Sequence, residues 1–213
     1  MPSARKKTSA ATIYSLRPPA LHLPAWLAKF IRKSGLVYPS RIDRLRLVIE
    51  MSRLNVERKT GGPFAAAVFN CRTSALLAPG VNLVEGAHCS VAHAEIMAII
   101  TAQCIVRHFD LGLGSGDPVE IVSSTEPCTM CQGAIMWSGA SSLVYAARGD
   151  DACRIGFDEG PKAPDWRRQF RKRGISVSGG ILRREAVAVL RNYQEHGGLI
   201  YNGSFHTTRS ALR

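Results

Sequence analysis

Apolar positions along the chain follow helical spacing in some stretches and strand-like runs in others. Ile42, Leu45, Leu47, Val48, Ile49, Met51, Leu54 and Val56 lie on a helix predicted over about 41–58, with Ser40 placed to cap it and Gly61-Gly62-Pro63 to break it. Phe64–Phe69 and Leu76–Val84 are nearly continuous apolar runs, expected of strands covered on both faces, and a tight turn near 70–74 joins them. A second long helix is expected over Ala92–Phe109, then a loop over Gly112–Asp117 and a strand over Val119–Ser124. Pro127 suits the first position of a further helix. A strand over Leu143–Ala147 follows, then a short helix capped by Asp150 or Asp151 and a loop from Gly156 to Pro161. A basic helix over Asp165–Arg173, a strand over Ile175–Val177 and a helix over Arg184–His196 complete the pattern. Alternating strands and helices predict an α/β layered domain around a five-stranded sheet.

Charge changes this picture only at the N-terminus. The chain of 213 residues carries a formal net charge of +12. Residues 1–42 hold eight of the 28 Lys and Arg and no acid, while the rest sets 20 basic against 16 acidic residues. Residues 1–23 read as an irregular basic arm, and Pro24–Lys33 as a short amphipathic helix ending at Gly35. Such an arm fits either an extension of the domain or an organellar transit segment, and it lacks the apolar centre of a secretory signal. The expected boundaries are 1–40 for the arm with its helix, 41–200 for the main domain and 201–213 for a tail. The basic group Arg167, Arg168, Arg171, Lys172 and Arg173 reads as a solvated helix face. No apolar run approaches the length that spans a bilayer.

The chemistry concentrates between His93 and Cys131. His93-Ala94-Glu95 opens one helical run, and Glu126-Pro127-Cys128-Thr129-Met130-Cys131 opens the next, with one strand between them. One imidazole and two thiols supply three ligands for a tetrahedral zinc ion, leaving a fourth position for water. A structural site needs four protein ligands, and the sequence has no second Cys-x-x-Cys. Glu95, two residues beyond His93, is close enough to act on that water without being a ligand. Cys71, Cys104 and Cys153 are expected to be ordinary buried thiols, and Cys89 is a remote candidate for an extra ligand. A thiolate site favours a reducing compartment, hence a cytoplasmic location.

His-x-Glu followed by Pro-Cys-x-x-Cys is the signature of the zinc deaminases, and over about residues 40–200 the chain resembles the cytidine-deaminase-fold superfamily. Gly61-Gly62-Pro63-Phe64, Val81-Asn82-Leu83-Val84, the two zinc motifs and Gly156-Phe157-Asp158-Glu159 resemble the bacterial guanine deaminases of that fold. The tRNA adenosine deaminases share the first four elements but carry a different segment where Gly-Phe-Asp-Glu stands. The resemblance implies a three-layer α/β/α cytidine-deaminase-like fold with a central five-stranded mixed sheet. It implies one zinc ion per subunit on His93, Cys128 and Cys131, with Glu95 moving protons and Glu159 assisting purine binding and proton transfer. Asn82 would hydrogen-bond the base edge, Phe64 and Trp137 would stack on the purine, and Tyr201 would close the pocket over its own or a neighbouring subunit. The expected reaction is conversion of guanine to xanthine and ammonia, with a free nucleobase as partner and a homodimer as assembly. The alternatives are a tRNA adenosine deaminase, a deaminase of cytosine or another base, and an inactive scaffold that binds nucleic acid.

Overall fold

The computed structural model describes residues 21–203, so the basic arm ahead of residue 21 and the tail beyond 203 lie outside the described residues. Helices α1 (Ala25–Ser34) and α2 (Arg41–Glu57) precede the hairpin β1 (Ala65–Asn70) and β2 (Leu76–Val81). Then come α3 (Ala94–Val106), the short α4 (Leu111–Ser115), β3 (Val119–Thr125), α5 (Thr129–Trp137) and β4 (Ser142–Ala147). The chain continues through α6 (Gly149–Arg154), α7 (Trp166–Lys172), β5 (Ser176–Gly179) and α8 (Arg183–Glu195). The sheet order is β2-β1-β3-β4-β5. β1 is antiparallel to both neighbours, whereas β3, β4 and β5 run parallel, so the sheet is mixed as expected.

Side-chain alternation along β1 explains the three layers. Ala65, Ala67 and Phe69 join a core with Leu45, Val48 and Met51 of α2 and Leu190 of α8. Ala66 and Val68 point the other way, into a core with Ala98 and Ala102 of α3, Ile135 of α5 and Phe170 of α7. Leu27 and Ile31 of α1 are buried in the first core, so this helix packs on the same body as the sheet. Ser40 caps α2, its Oγ accepting the Asp43 N–H at 3.1 Å.

Several expected boundaries move. β2 stops at Val81, because the chain turns through Asn82 to reach His93. Part of the expected loop at 112–117 is helical, with Asp110 capping α4 through Leu113 N–H. Asp151 is not the cap of α6 but its third residue, and its carboxylate accepts the backbone N–H of the capping Arg148. Cys71, Cys104 and Cys153 are exposed rather than buried. Cys104 lies in the last half of α3, on a side that the sheet does not cover. Among the described residues no helix is long and apolar enough to cross a membrane.

Candidate active site

The parallel strands β3 and β4 end on one side of the sheet, and ligands of open α/β sheets bind beyond such carboxyl ends. Because β1 is antiparallel to β3, its first residues reach the same side, and so does the end of β2, where Ala65 pairs with Val81. This register brings Phe64, Asn82, Thr125 and Glu126 together around one cavity of about 580 Å³. His93, Glu95, Cys128, Phe157, Glu159 and Tyr201 also line it.

His93 and Cys128 are not in the first turns of their helices, as the spacing suggested, but cap them. His93 is the N-cap of α3 and Cys128 the N-cap of α5, both with extended backbone. Both side chains therefore meet in front of two helix N-termini, whose partial positive charge favours thiolate. His93 Nδ1 stands 3.4 Å from Cys128 Sγ and 3.6 Å from Cys131 Sγ. Ligand atoms on a tetrahedral zinc, at about 2.3 Å for sulfur and 2.0 Å for nitrogen, are separated by about 3.5 Å. Both imidazole–sulfur distances match such an ion, and all three donor atoms lie within 4.8 Å of one another. Cys89 is not in this cluster and packs instead beside the core.

The titrating groups of the site shift one another. Cys128 accepts a hydrogen bond from the Cys131 thiol and lies against His93, which together hold it below the ordinary thiol range despite burial. Cys131, the donor of that pair and itself buried, is pushed up. A cation between the sulfurs would favour loss of the second thiol proton, as at any thiolate metal site. His93 is drawn down by burial but raised more by Cys128 and the nearby acids, with a net upward shift. Burial raises the Glu95 carboxyl and the charge of Cys128 adds to it, while His93 and Ser123 oppose them. Glu95, 6% exposed, accepts a hydrogen bond from Ser123 Oγ at 2.8 Å. Burial also pushes Glu159 up to about 7, against the pull of the Lys162 ammonium.

The remaining expected residues divide. Asn82 Oδ1 accepts the Val84 N–H at 3.2 Å, and Asn82 lines the cavity. Phe64 packs edge-on to Phe157, with centroids 4.9 Å apart, and Tyr201 packs on the other side of Phe157 at 5.0 Å. Tyr201 lines this chain's own cavity, and its buried hydroxyl has no partner among the described residues. Gly62 makes room for it: a Cβ there would lie 2.2 Å from the Tyr201 oxygen. Trp137 is not brought to the cavity. It ends α5, is 80% exposed, and lies six residues beyond Cys131, about 9 Å along a helix rising 1.5 Å per residue. Stacking of Trp137 on a base within one chain is therefore corrected.

Other residues of the site were not singled out from the sequence. Asn55, fully buried on α2, donates from one amide nitrogen to the carbonyls of Gly62 and Asn82, each at 2.9 Å, and so ties together the segments that carry Phe64 and Asn82. Its Oδ1 accepts from Thr60, whose Oγ1 in turn accepts the Trp26 indole N–H of α1. An amide between Leu54 and Val56 was the available signal. Phe157 lay in a quoted motif without a role of its own. Ser123 could have been reached by alternation, since it shares a strand face with Val119 and Ile121, which pack toward α3. Thr125, whose buried hydroxyl lacks a partner among the described residues, gives no such signal.

Comparison with known proteins fits this geometry. Residues 42–147 match the family model of the cytidine and deoxycytidylate deaminase zinc-binding region. A solved guanine deaminase from Nitrosomonas europaea is 44% identical, with a TM-score of 0.77 over 83% of this chain and 97% of that one. The guanine deaminase of Bacillus subtilis strain 168 is 34% identical over 115 residues, 54% of this chain and 69% of the relative. A chloroplastic tRNA(adenine(34)) deaminase from Arabidopsis thaliana matches only 72 residues at 35% identity, 34% of this chain and 5% of that protein. By the zinc-binding region, the cavity it builds and the extent of the match, the chain belongs to the guanine deaminase family of the zinc-dependent cytidine-deaminase fold.

Proposed function

We propose that this protein deaminates a free purine base hydrolytically, converting guanine and water to xanthine and ammonia. The observation that carries this reading is the buried Glu95 carboxylate, held by Ser123 in the cavity that His93 and Cys128 of the His93, Cys128 and Cys131 cluster also line. His93, Cys128 and Cys131 would hold one zinc ion, which would supply a water of lowered pKa as nucleophile near neutral pH. Glu95 takes the proton released as oxygen attacks C2 and delivers it to the adjacent ring nitrogen. Glu159, poised near neutrality, passes a proton to the departing amine. Asn82 orients the base edge through its amide, and Phe64, Phe157 and Tyr201 form the flat apolar walls that a neutral aromatic base requires.

Several features support a homodimer. Trp137, Ile105, Phe109 and Leu113 are large apolar side chains left exposed on α3, α5 and the segment between α3 and β3. A cytoplasmic setting suits six free cysteines, two of which are needed as thiolates. A tRNA substrate has less support, because the basic excess outside residues 1–42 is small.

The test is ammonia release by purified, zinc-loaded protein on guanine, adenine, cytosine and their nucleosides. Guanine turnover well above the rest is the expected outcome. Good cytosine turnover with none on guanine would overturn the substrate.

A further inference from the structure

Behind Glu159 lies a charged group that the reaction just described does not use. Lys162, on the loop between α6 and α7, is 14% exposed at its side chain. Its Nζ lies 3.1 Å from Glu159 Oε2 and 3.1 Å from Glu126 Oε1, two carboxylates that are themselves only 12% and 10% exposed. Glu126 is held from its other oxygen by Arg167 at 3.3 Å, and Arg167 also donates to the Tyr145 hydroxyl at 3.1 Å. The loop is anchored again at the backbone of Glu159, whose carbonyl accepts the Thr129 N–H at 3.0 Å. Glu126 is thus a fixed post on the zinc-motif loop, and Lys162 is the link from that post to the Glu159 side chain. A lone surface ion pair would restrain little, but a largely buried ammonium shared by two carboxylates leaves few other positions for either.

We propose that Lys162 is a positioning residue for the deamination: by tying Glu159 to Glu126 it keeps the Glu159 carboxylate in the cavity wall, where it can reach the leaving amine. This rests on the role given to Glu159 above. Gly149 is part of the same device. A Cβ at Gly149 would stand 2.6 Å from Lys162 Nζ, so the absent side chain makes room for the ammonium in the first turn of α6.

Steady-state kinetics on guanine with Lys162→Met, Lys162→Arg, Glu159→Gln and the Lys162→Met/Glu159→Gln double variant test this, with zinc content and melting temperature followed for each. Lys162→Met is expected to lower kcat about tenfold with KM within about twofold, the scale of loss that follows a small misplacement of a catalytic group. Lys162→Arg should restore most of kcat. In the Glu159→Gln background Lys162→Met should add less than about twofold, because residues acting through one another are not additive. Gly149→Ala keeps the charge but crowds the ammonium, and should lower kcat several-fold with a smaller loss of melting temperature than Lys162→Met, since the cation between the two carboxylates is kept. This variant decides the matter should Lys162→Met fail to fold. Full activity in Lys162→Met or Gly149→Ala alongside an impaired Glu159→Gln would overturn the role of Lys162 alone. Equal losses from Lys162→Met in both backgrounds would do the same. A fully active Glu159→Gln would overturn the role of Glu159 and this proposal with it.

Discussion

Two buried glutamates at opposite ends of β3 and its surroundings have opposite fates. Glu120, at the start of the strand, is 2% exposed and surrounded by partners: Arg44 at 2.9 Å, Arg41 at 3.1 Å and the Ser142 hydroxyl at 2.9 Å. Glu95, beside the end of the strand, is 6% exposed, accepts the Ser123 hydroxyl and lies against the Cys131 thiol, and among the described residues it forms no ion pair. Burial alone does not separate them. What separates them is compensation: the carboxylate with two guanidinium partners is held in place by them, whereas the one facing the cavity has its pKa raised by burial. The first arrangement fastens α2 to the sheet, and the second leaves a group free to act.

That contrast can be broken from either side. The largest effect is expected at the under-partnered end. Glu95→Gln preserves shape and removes the proton carrier, so kcat on guanine should fall about 10³-fold, within the range that a general acid–base group supplies. Circular dichroism and zinc content should be unchanged. Retention of wild-type turnover would show that the carboxylate is not the carrier. At the fully partnered end Arg44→Met should do the reverse. Removing one cation from a buried pair costs about 3 kcal/mol, softened here because Arg41 remains, and for a chain of this size that lowers Tm by roughly 9 °C. Calorimetry should record this drop while kcat/KM at 25 °C stays within about twofold of wild type.

The same contrast sets how much could be read from the sequence. The sheet and its flanking helices were legible because β1 is apolar up to Asn70, β3 carries Val119, Ile121 and Val122, and Ser40 caps α2. His93, Glu95, Cys128 and Cys131 were legible because metal and proton chemistry restrict residue type and local spacing. The supporting residues were not. Lys162 meets Glu126 across 36 positions, and Asn55 meets the Asn82 carbonyl across 27, so only the fold brings them together. Trp137 illustrates the converse error: family likeness placed it on the base, but helix geometry carries it out of reach of the cavity within a single chain.

Asn82 sharpens the comparison at the substrate itself. Its side chain is held by Val84 on one side only, and Asn82→Ala should cost about one hydrogen bond to a neutral base, roughly 1.4 kcal/mol or tenfold in kcat/KM. Most of this should fall in KM if the contact is the same in ground and transition states. Unchanged kcat/KM for guanine would mean that the amide serves only the turn at Val84.

The smallest effect is a pH dependence, and it belongs to the partnered class. Asp151 is 4% exposed and receives Arg183 at 2.7 Å, Arg154 at 2.6 Å and the Arg148 N–H at 2.9 Å. Arg183 above all, with help from the Arg148 backbone and against the cost of burial, holds this carboxyl below the ordinary range. A folded-state pKa lowered in this way adds stability that is fully present above the unfolded value, about 3.9, and is lost as pH falls through the lower folded value. Asp151→Asn should therefore be less stable than wild type by a constant margin from pH 7 to 5. Below about pH 4 that margin should shrink, as the wild-type carboxyl takes up its own proton. Zinc release in acid affects both proteins, so the difference between their urea midpoints isolates the ion pair. A margin that instead widened in acid would mean that Asp151 is bound as the neutral acid, and would place it with the raised carboxyls of the cavity.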